Sequence, residues 1–380
     1  MSEPEYRPGL ADVPAAESAV SYIDGQRARL EYRGIAVETL ARESTFEETA
    51  WLLLKGSLPT QKQLADFDDA LRRHRKLPYK LVDLLKNLPE NGHPMNALQT
   101  GVASLGSFHP EGRHVADAAV NWESTLRLIA GAPTIVAAFH RLRGRDEPLA
   151  PREDLDHAGN FYYMLHGREP SPAVRKVIDA CLIVHAEHTM NASTFAARVT
   201  ASSLADPYAV ICSAVGTLSG PLHGGANEEV LTMLDGIGSI GNVRPWLEKA
   251  IATKAKIMGF GHRVYKVKDP RATVLQELAE NVFAETGRPD QYELALELEK
   301  VAAGILGPKG IYPNVDFFSG TVYHALGIPR DLFTPVFAIA RVAGWLAHWL
   351  EQIQNNRIFR PEQVYVGKTD VAYVPLGKRV

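Results

Sequence analysis

Apolar side chains recur along most of this chain with the 3.6-residue period of helices that bury one face. Leu64, Phe67 and Leu71 stand at i, i+3 and i+7 among aspartates and arginines. Val174, Val177, Ile178, Cys181 and Leu182 mark one face after Ser171-Pro172, a capping residue followed by proline at the first helical position. Thr45 with Glu48 reads as a capping box ahead of Trp51–Leu54, and Gly56 as its stop. Further helices are predicted over Leu126–Leu142, Tyr208–Leu218, Val274–Phe283, Leu294–Ile305 and Phe333–Ile353. Pro133 is expected to bend or split the first of these.

Strand signals are few. Ser21–Ile23 and Leu30–Tyr32 flank Asp24-Gly25 and suit a small hairpin, and the tail segments Val364–Val366 and Val371–Val374 suit short extended pieces. No alternation of strands and helices is present, which excludes a doubly wound sheet or a barrel. The pattern predicts an all-α protein whose short, proline-rich loops mark no domain boundary.

Composition narrows this further. Of 380 residues, 46% are hydrophobic and 22% charged, which suits a large buried core and excludes a disordered chain. Forty-one lysines and arginines against 44 acidic residues leave a net charge of -3. That balance gives no general reason to bind nucleic acid or an anionic membrane, so any anion must be met by a local cluster. Cys181 and Cys212 cannot make a disulfide framework and suit a reducing compartment. The start, MSEPEYRPGL, lacks the basic and apolar regions of a signal peptide. Phe333 to Leu350 approaches membrane-spanning length but carries Arg341 at its centre, with Pro335 and His348 near its ends. A charge there is costly in lipid, so a buried core helix with one functional arginine is expected, in a soluble, cytoplasmic protein.

Four segments look unlike helix filler. Gly220-Pro221-Leu222-His223-Gly224-Gly225-Ala226-Asn227-Glu228 sets a histidine beside a glycine turn and a helix start, where free N–H groups favour a neutral ring and an anionic neighbour. Lys256-Ile257-Met258-Gly259-Phe260-Gly261-His262 continues into Asp269-Pro270-Arg271. Its glycines allow close backbone approach, and Lys254, Lys256, Arg263, Lys266, Lys268 and Arg271 form a cationic patch suited to a phosphate or dicarboxylate. In Tyr312-Pro313-Asn314-Val315-Asp316-Phe317-Phe318, apolar neighbours should raise the Asp316 pKa toward a usable base. His185-Ala186-Glu187-His188 places two histidines three apart, without the order of a zinc hydrolase. Taken singly, each has an ordinary reading: a loop histidine beside turn glycines, a solvated basic loop, an N-cap, a helix end.

Together these segments resemble the citrate synthase family, over nearly the whole chain. The likeness begins at Tyr22-Ile23-Asp24-Gly25 and Tyr32-Arg33-Gly34, passes through His93-Pro94-Met95, and closes at Asn356-Arg357-Ile358-Phe359-Arg360-Pro361. It implies a two-domain helical fold, with residues 1–221 and 327–380 as the large, dimer-forming domain and 222–326 as the small one. It implies condensation of acetyl-CoA with oxaloacetate, needing no metal or other cofactor. Asp316 would be the base, His223 the enol stabiliser and His262 the acid. His188, Arg271 and Arg341 would hold oxaloacetate, with Arg360 supplied across a homodimer interface. Lys256, Ile257, Met258, Gly259 and Phe260 would line the coenzyme A site. Glu187-His188 stands where the family usually has Asp-His, a variant that resembles some bacterial citrate synthases and also 2-methylcitrate synthases. The rival readings are therefore a propionyl-CoA-using 2-methylcitrate synthase, a non-catalytic CoA or dicarboxylate sensor, and a metal hydrolase built on His185, Glu187 and His188.

Overall fold

Capping chemistry sets many of the helix starts. The computed structural model describes residues 6–262 and 264–379, with sixteen α-helices and one three-stranded sheet among them. Met1 to Glu5 and Arg263, part of the predicted basic patch, lie outside the described residues. Helices begin at Pro94, Pro172, Pro207 and Pro270, each directly after a side chain that accepts an N–H of the first turn. Proline suits that place because its missing N–H has no partner to lose there. Thr45 accepts from the Glu48 amide at 3.2 Å, but the Glu48 carboxylate turns to Ser44 Oγ at 2.7 Å. The expected box there is half-formed, whereas Thr60 and Gln63 make a complete one.

Pro133 does not break its helix. Ala118–Arg143 is one continuous element with Pro133 buried inside it. It packs against Pro94–Phe108, His157–His166 and Phe333–Gln354, and these contacts outweigh the lost backbone bond. The tail also departs from expectation. No strand forms among residues 361–379, which are exposed and have no neighbouring strand to pair with.

Phe333–Gln354 is the central helix, packed against Phe46–Lys55, Pro172–His185, Ala192–Ser202 and Pro207–Leu218. Its Trp345 and Trp349 are wholly buried. Each removes roughly 150–250 Å² from water, worth about 4–6 kcal/mol before entropy is counted. Among the described residues no helix is long and apolar enough to cross a membrane. A second group, Ala226–Ile237, Val243–Ala252, Pro270–Thr286, Asp290–Leu306 and Val315–Ala325, packs largely on itself. Pro270–Thr286 joins it to Pro172–His185 and Val37–Glu43, and one apolar cluster runs through both groups.

The hairpin forms as Ser21–Asp24 paired antiparallel with Arg29–Tyr32, and the two-residue strand Ile35–Ala36 completes the sheet. Its turn reaches the His262 loop, since Lys266 donates its N–H to the Gly25 carbonyl at 3.1 Å. Any Cβ at Gly25 would collide with the Val264 carbonyl, so close approach explains this glycine.

Candidate active site

His262 stands in a loop, and its environment fixes where its proton is. Nδ1 accepts the N–H groups of Val264 and Tyr265 at 3.0 and 3.2 Å, which leaves the ring proton on Nε2. Burial, reinforced by the Arg271 charge, pushes its pKa down to about 4, so the ring is a neutral donor near pH 7. His188 packs edge-on against it with centroids 5.1 Å apart, and the Tyr265 hydroxyl lies 3.4 Å from His188 Nε2. His188 is itself held well below the ordinary histidine pKa by burial and then by Arg271.

The Asp316 segment is bound to the same loop. Asn314 caps the helix Val315–Ala325 by accepting the Asp316 amide at 3.0 Å, and its side-chain N–H₂ donates to the Gly261 carbonyl at 3.1 Å. Gly261 donates to Tyr312 O, and Phe260 pairs with Pro313 in a short bridge. Burial pushes the Asp316 carboxyl up to about 6 against the opposing pull of Arg271. Its Oδ1 is buried with no hydrogen-bond partner. An unpaired carboxylate oxygen in such a place is a strong proton acceptor.

Arg271 belongs to the interior, not to a basic surface patch. Its guanidinium meets Asp269 through two bonds, Nε–Oδ1 at 3.0 Å and Nη2–Oδ2 at 2.7 Å, and both side chains are buried. Asp269 also caps its own helix and accepts the Val315 amide at 3.3 Å. Lys268 is likewise paired, with Glu299 at 2.6 Å. Lys254, Lys256 and Lys266 remain exposed, which leaves a smaller cationic surface than the sequence suggested.

His223 joins from the turn before Ala226–Ile237. The Ser193 amide donates to its Nε2 at 3.3 Å, placing the ring proton on Nδ1, and Ser193 Oγ lies 2.8 Å from the same nitrogen. Trp345 of the central helix donates to that hydroxyl at 3.2 Å. Burial, then the Arg341 charge, lowers the His223 pKa to about 4. The neutral ring expected from a helix start is thus present, with burial as its leading cause. Arg341, wholly buried, donates from Nε to the His185 carbonyl at 2.6 Å and lies over the Phe337 ring. Its charge acts on His188, His223 and Asp316 alike, which makes it the common electrostatic neighbour of the set.

Arg360 is not brought to this cluster within one chain. It is exposed and lines a groove of about 1100 Å³ with Phe195, Arg198, Glu351 and Phe359. The 185–188 segment is not arranged as a metal site either. His185 Nδ1 bonds to the Cys181 carbonyl, and Glu187 turns to His348 and Ser21.

Known proteins of one family resemble this chain over nearly its whole length. The family model for the citrate synthase C-terminal domain matches residues 9–362. The chain is 58% identical to a citrate synthase of Synechocystis sp., over 99% of this chain and 94% of that protein. The citrate synthase structure from Thermotoga maritima MSB8 superposes with a TM-score of 0.89 at 41% identity, covering 99% of both chains. A citrate synthase from Thermoplasma acidophilum, solved as a ternary complex with carboxymethyl coenzyme A and oxaloacetate, reaches 0.92 at 32% identity, over 99% of this chain and 100% of that one. The chain belongs to the citrate synthase family. It is accordingly an enzyme of the acyltransferase class with the all-α fold of that family.

Several polar residues that organise the site in this citrate synthase family member were not singled out from sequence. Asp269 and Asn314 carried a readable signal, a capping residue beside proline or before a helix, but not their second contacts. Ser193, Tyr265 and His348 carried no sign of these contacts, because their partners lie 30, 77 and 161 residues away.

Proposed function

We propose that this protein condenses acetyl-CoA with oxaloacetate and water to give citrate and CoA. The observation that carries the reading is the unpaired, buried Oδ1 of Asp316 on a carboxyl pushed up to about 6, joined through Asn314 to a loop histidine with a fixed tautomer. In this reading Asp316 takes a methyl proton from acetyl-CoA, and the Nδ1–H of His223 donates to the enol oxygen that forms. The enol carbon attacks the oxaloacetate ketone, whose oxygen receives the Nε2 proton of His262. Neutral imidazoles suit both tasks, since they donate strongly without needing full charge. Water then cleaves the citryl-CoA thioester.

Oxaloacetate has two carboxylates, which guanidinium forks match. Arg271, Arg341 and His188 would hold it, with Arg360 reaching in from a second copy of the chain. Exposure of Arg360 away from its own cluster is compatible with that role. Coenzyme A would lie along Lys256–Phe260, beside the base. The working unit is then a cytoplasmic homodimer whose residues 222–326 close on the rest, and the largely self-contained packing of the helices after Ala226 supports that division.

The test is release of free thiol from acetyl-CoA and from propionyl-CoA, each with and without oxaloacetate. Oxaloacetate-dependent release from acetyl-CoA is expected. No release above background from either thioester would overturn the proposal, and preference for propionyl-CoA would shift it to 2-methylcitrate formation. The two substrates differ by one methylene, which sites separate by only about 1–3 kcal/mol.

A further inference from the structure

A buried carboxylate that the proposed reaction leaves unused stands beside the oxaloacetate ligands. Glu187 has no exposed surface. Its Oε1 accepts from His348 Nε2 at 3.0 Å and from Ser21 Oγ at 2.9 Å. The His348 tautomer is fixed, because Arg198 Nη1, which can only donate, meets its Nδ1 at 3.1 Å. The other oxygen, Oε2, is buried without a hydrogen-bond partner. Gly344 makes that space, since a Cβ there would stand 2.5 Å from Oε2.

Gly344 follows Arg341 by three residues on one helix, so both look onto the 185–188 segment. Arg341 donates to His185 O and, among the described residues, has no carboxylate within ion-pairing distance. Burial lowers its pKa to about 10, and Glu187 is the leading charge that opposes this. Burial also opposes ionisation of Glu187, yet His348 and then Arg341 hold its carboxyl below the ordinary range. The pair is therefore an ionised acid and an ionised base that share an interior without touching.

We infer that Glu187 is a positioning residue that partly neutralises Arg341 and so limits how tightly the protein holds its dicarboxylate substrate. This rests on the reading of Arg341 given above. Before substrate arrives, a buried guanidinium without a counter-charge would be costly. Once product has formed, an uncompensated one would release a polyanion slowly. His348 and Ser21 restrain Oε1, which keeps the carboxylate close enough to compensate Arg341 and prevents it from replacing the substrate.

The experiment is calorimetric titration of the full-length protein with oxaloacetate, alongside thermal melts and the KM for each substrate. Glu187→Gln should tighten oxaloacetate binding by about tenfold, the scale of one partly screened buried charge. Its KM for oxaloacetate should fall while that for acetyl-CoA moves little. Glu187→Asp keeps the charge and should show no such gain. Equal or weaker binding by a Glu187→Gln protein that melts like the parent overturns the inference. If that variant does not fold, Ser21→Ala decides. Freeing Oε1 to lean toward Arg341 should weaken oxaloacetate binding by about threefold or more, and unchanged binding overturns the idea. Arg341→Lys separates the two levels: if it leaves oxaloacetate binding intact, the assignment of Arg341 itself has failed, whatever Glu187 does.

Discussion

Asn314 donates its backbone N–H to the Gly259 carbonyl at 2.9 Å, and this bond ties the proposed coenzyme A segment to the helix that carries Asp316. The rings of Phe260 and Phe317 pack edge to face 4.8 Å apart on the same seam. Gly259 itself has φ of 74°, and a Cβ there would stand 2.8 Å from Phe317 Cβ.

Gly259→Ala should therefore act on the base as well as on the loop. The left-handed backbone alone costs about 1–2 kcal/mol with a side chain, and the Phe317 clash adds to it. A lower melting temperature is expected, with a fall in turnover of about a hundredfold if Asp316 shifts by an ångström. A variant with parental turnover would show that the seam does not position the base.

For Asp316 the expectation is a pH profile. Only the ionised carboxylate accepts a proton, so kcat/KM for acetyl-CoA should rise with pH through about 6. Asp316→Asn should lose about 10²–10⁴-fold in turnover at any pH. The folded pKa lies above the ordinary aspartate value, so this group's contribution to stability is lost as pH rises through about 6. Asp316→Asn should accordingly melt higher than the parent at pH 8. An Asn variant that melts no higher there would contradict the raised pKa.

Asp179 offers a second titration, remote from the chemistry. It accepts the Phe46 amide at 2.8 Å at the start of Phe46–Lys55, and burial followed by the Glu47 charge pushes its pKa up to about 8. A raised carboxyl pKa stabilises the folded state below the ordinary value and stops doing so as pH rises through the folded value. The melting temperature should thus fall from about pH 4 to about pH 8 and level off above it, and Asp179→Asn should flatten that slope. Parallel curves for the two proteins would rule the assignment out.

Arg271 and Asp269 should behave as one unit. Arg271→Ala strands a buried carboxylate that also accepts the Arg271 and Val315 amides, which should cost about 3–5 kcal/mol of stability. Adding Asp269→Asn should recover part of that loss. Denaturant unfolding of the single and double variants measures the coupling, and strictly additive losses would show that the pair is not compensating.

Helix periodicity, the capping residue before Pro172, the hairpin around Asp24-Gly25 and the burial of Arg341 were all legible along the chain. Each depends on residues within a few positions of one another, or on a charge set in an apolar helix. The glycine-flanked histidines and Asp316 were also legible, because their unusual local composition stands out from helix filler. Tertiary structure decided the rest. It kept the Pro133 helix whole by packing it on three sides, and left the tail unpaired for want of a neighbouring strand. It turned Arg271 inward to Asp269, where sequence had counted it in one cationic patch with the neighbouring lysines. It also placed the protons: His262 by two amides of its own loop, His223 by Ser193, and His348 by Arg198 from the far side of the core. A histidine's tautomer is set by whichever donor or acceptor packs against it. For His223 and His348 those partners come from elements far apart in the chain, so no local pattern could have named them.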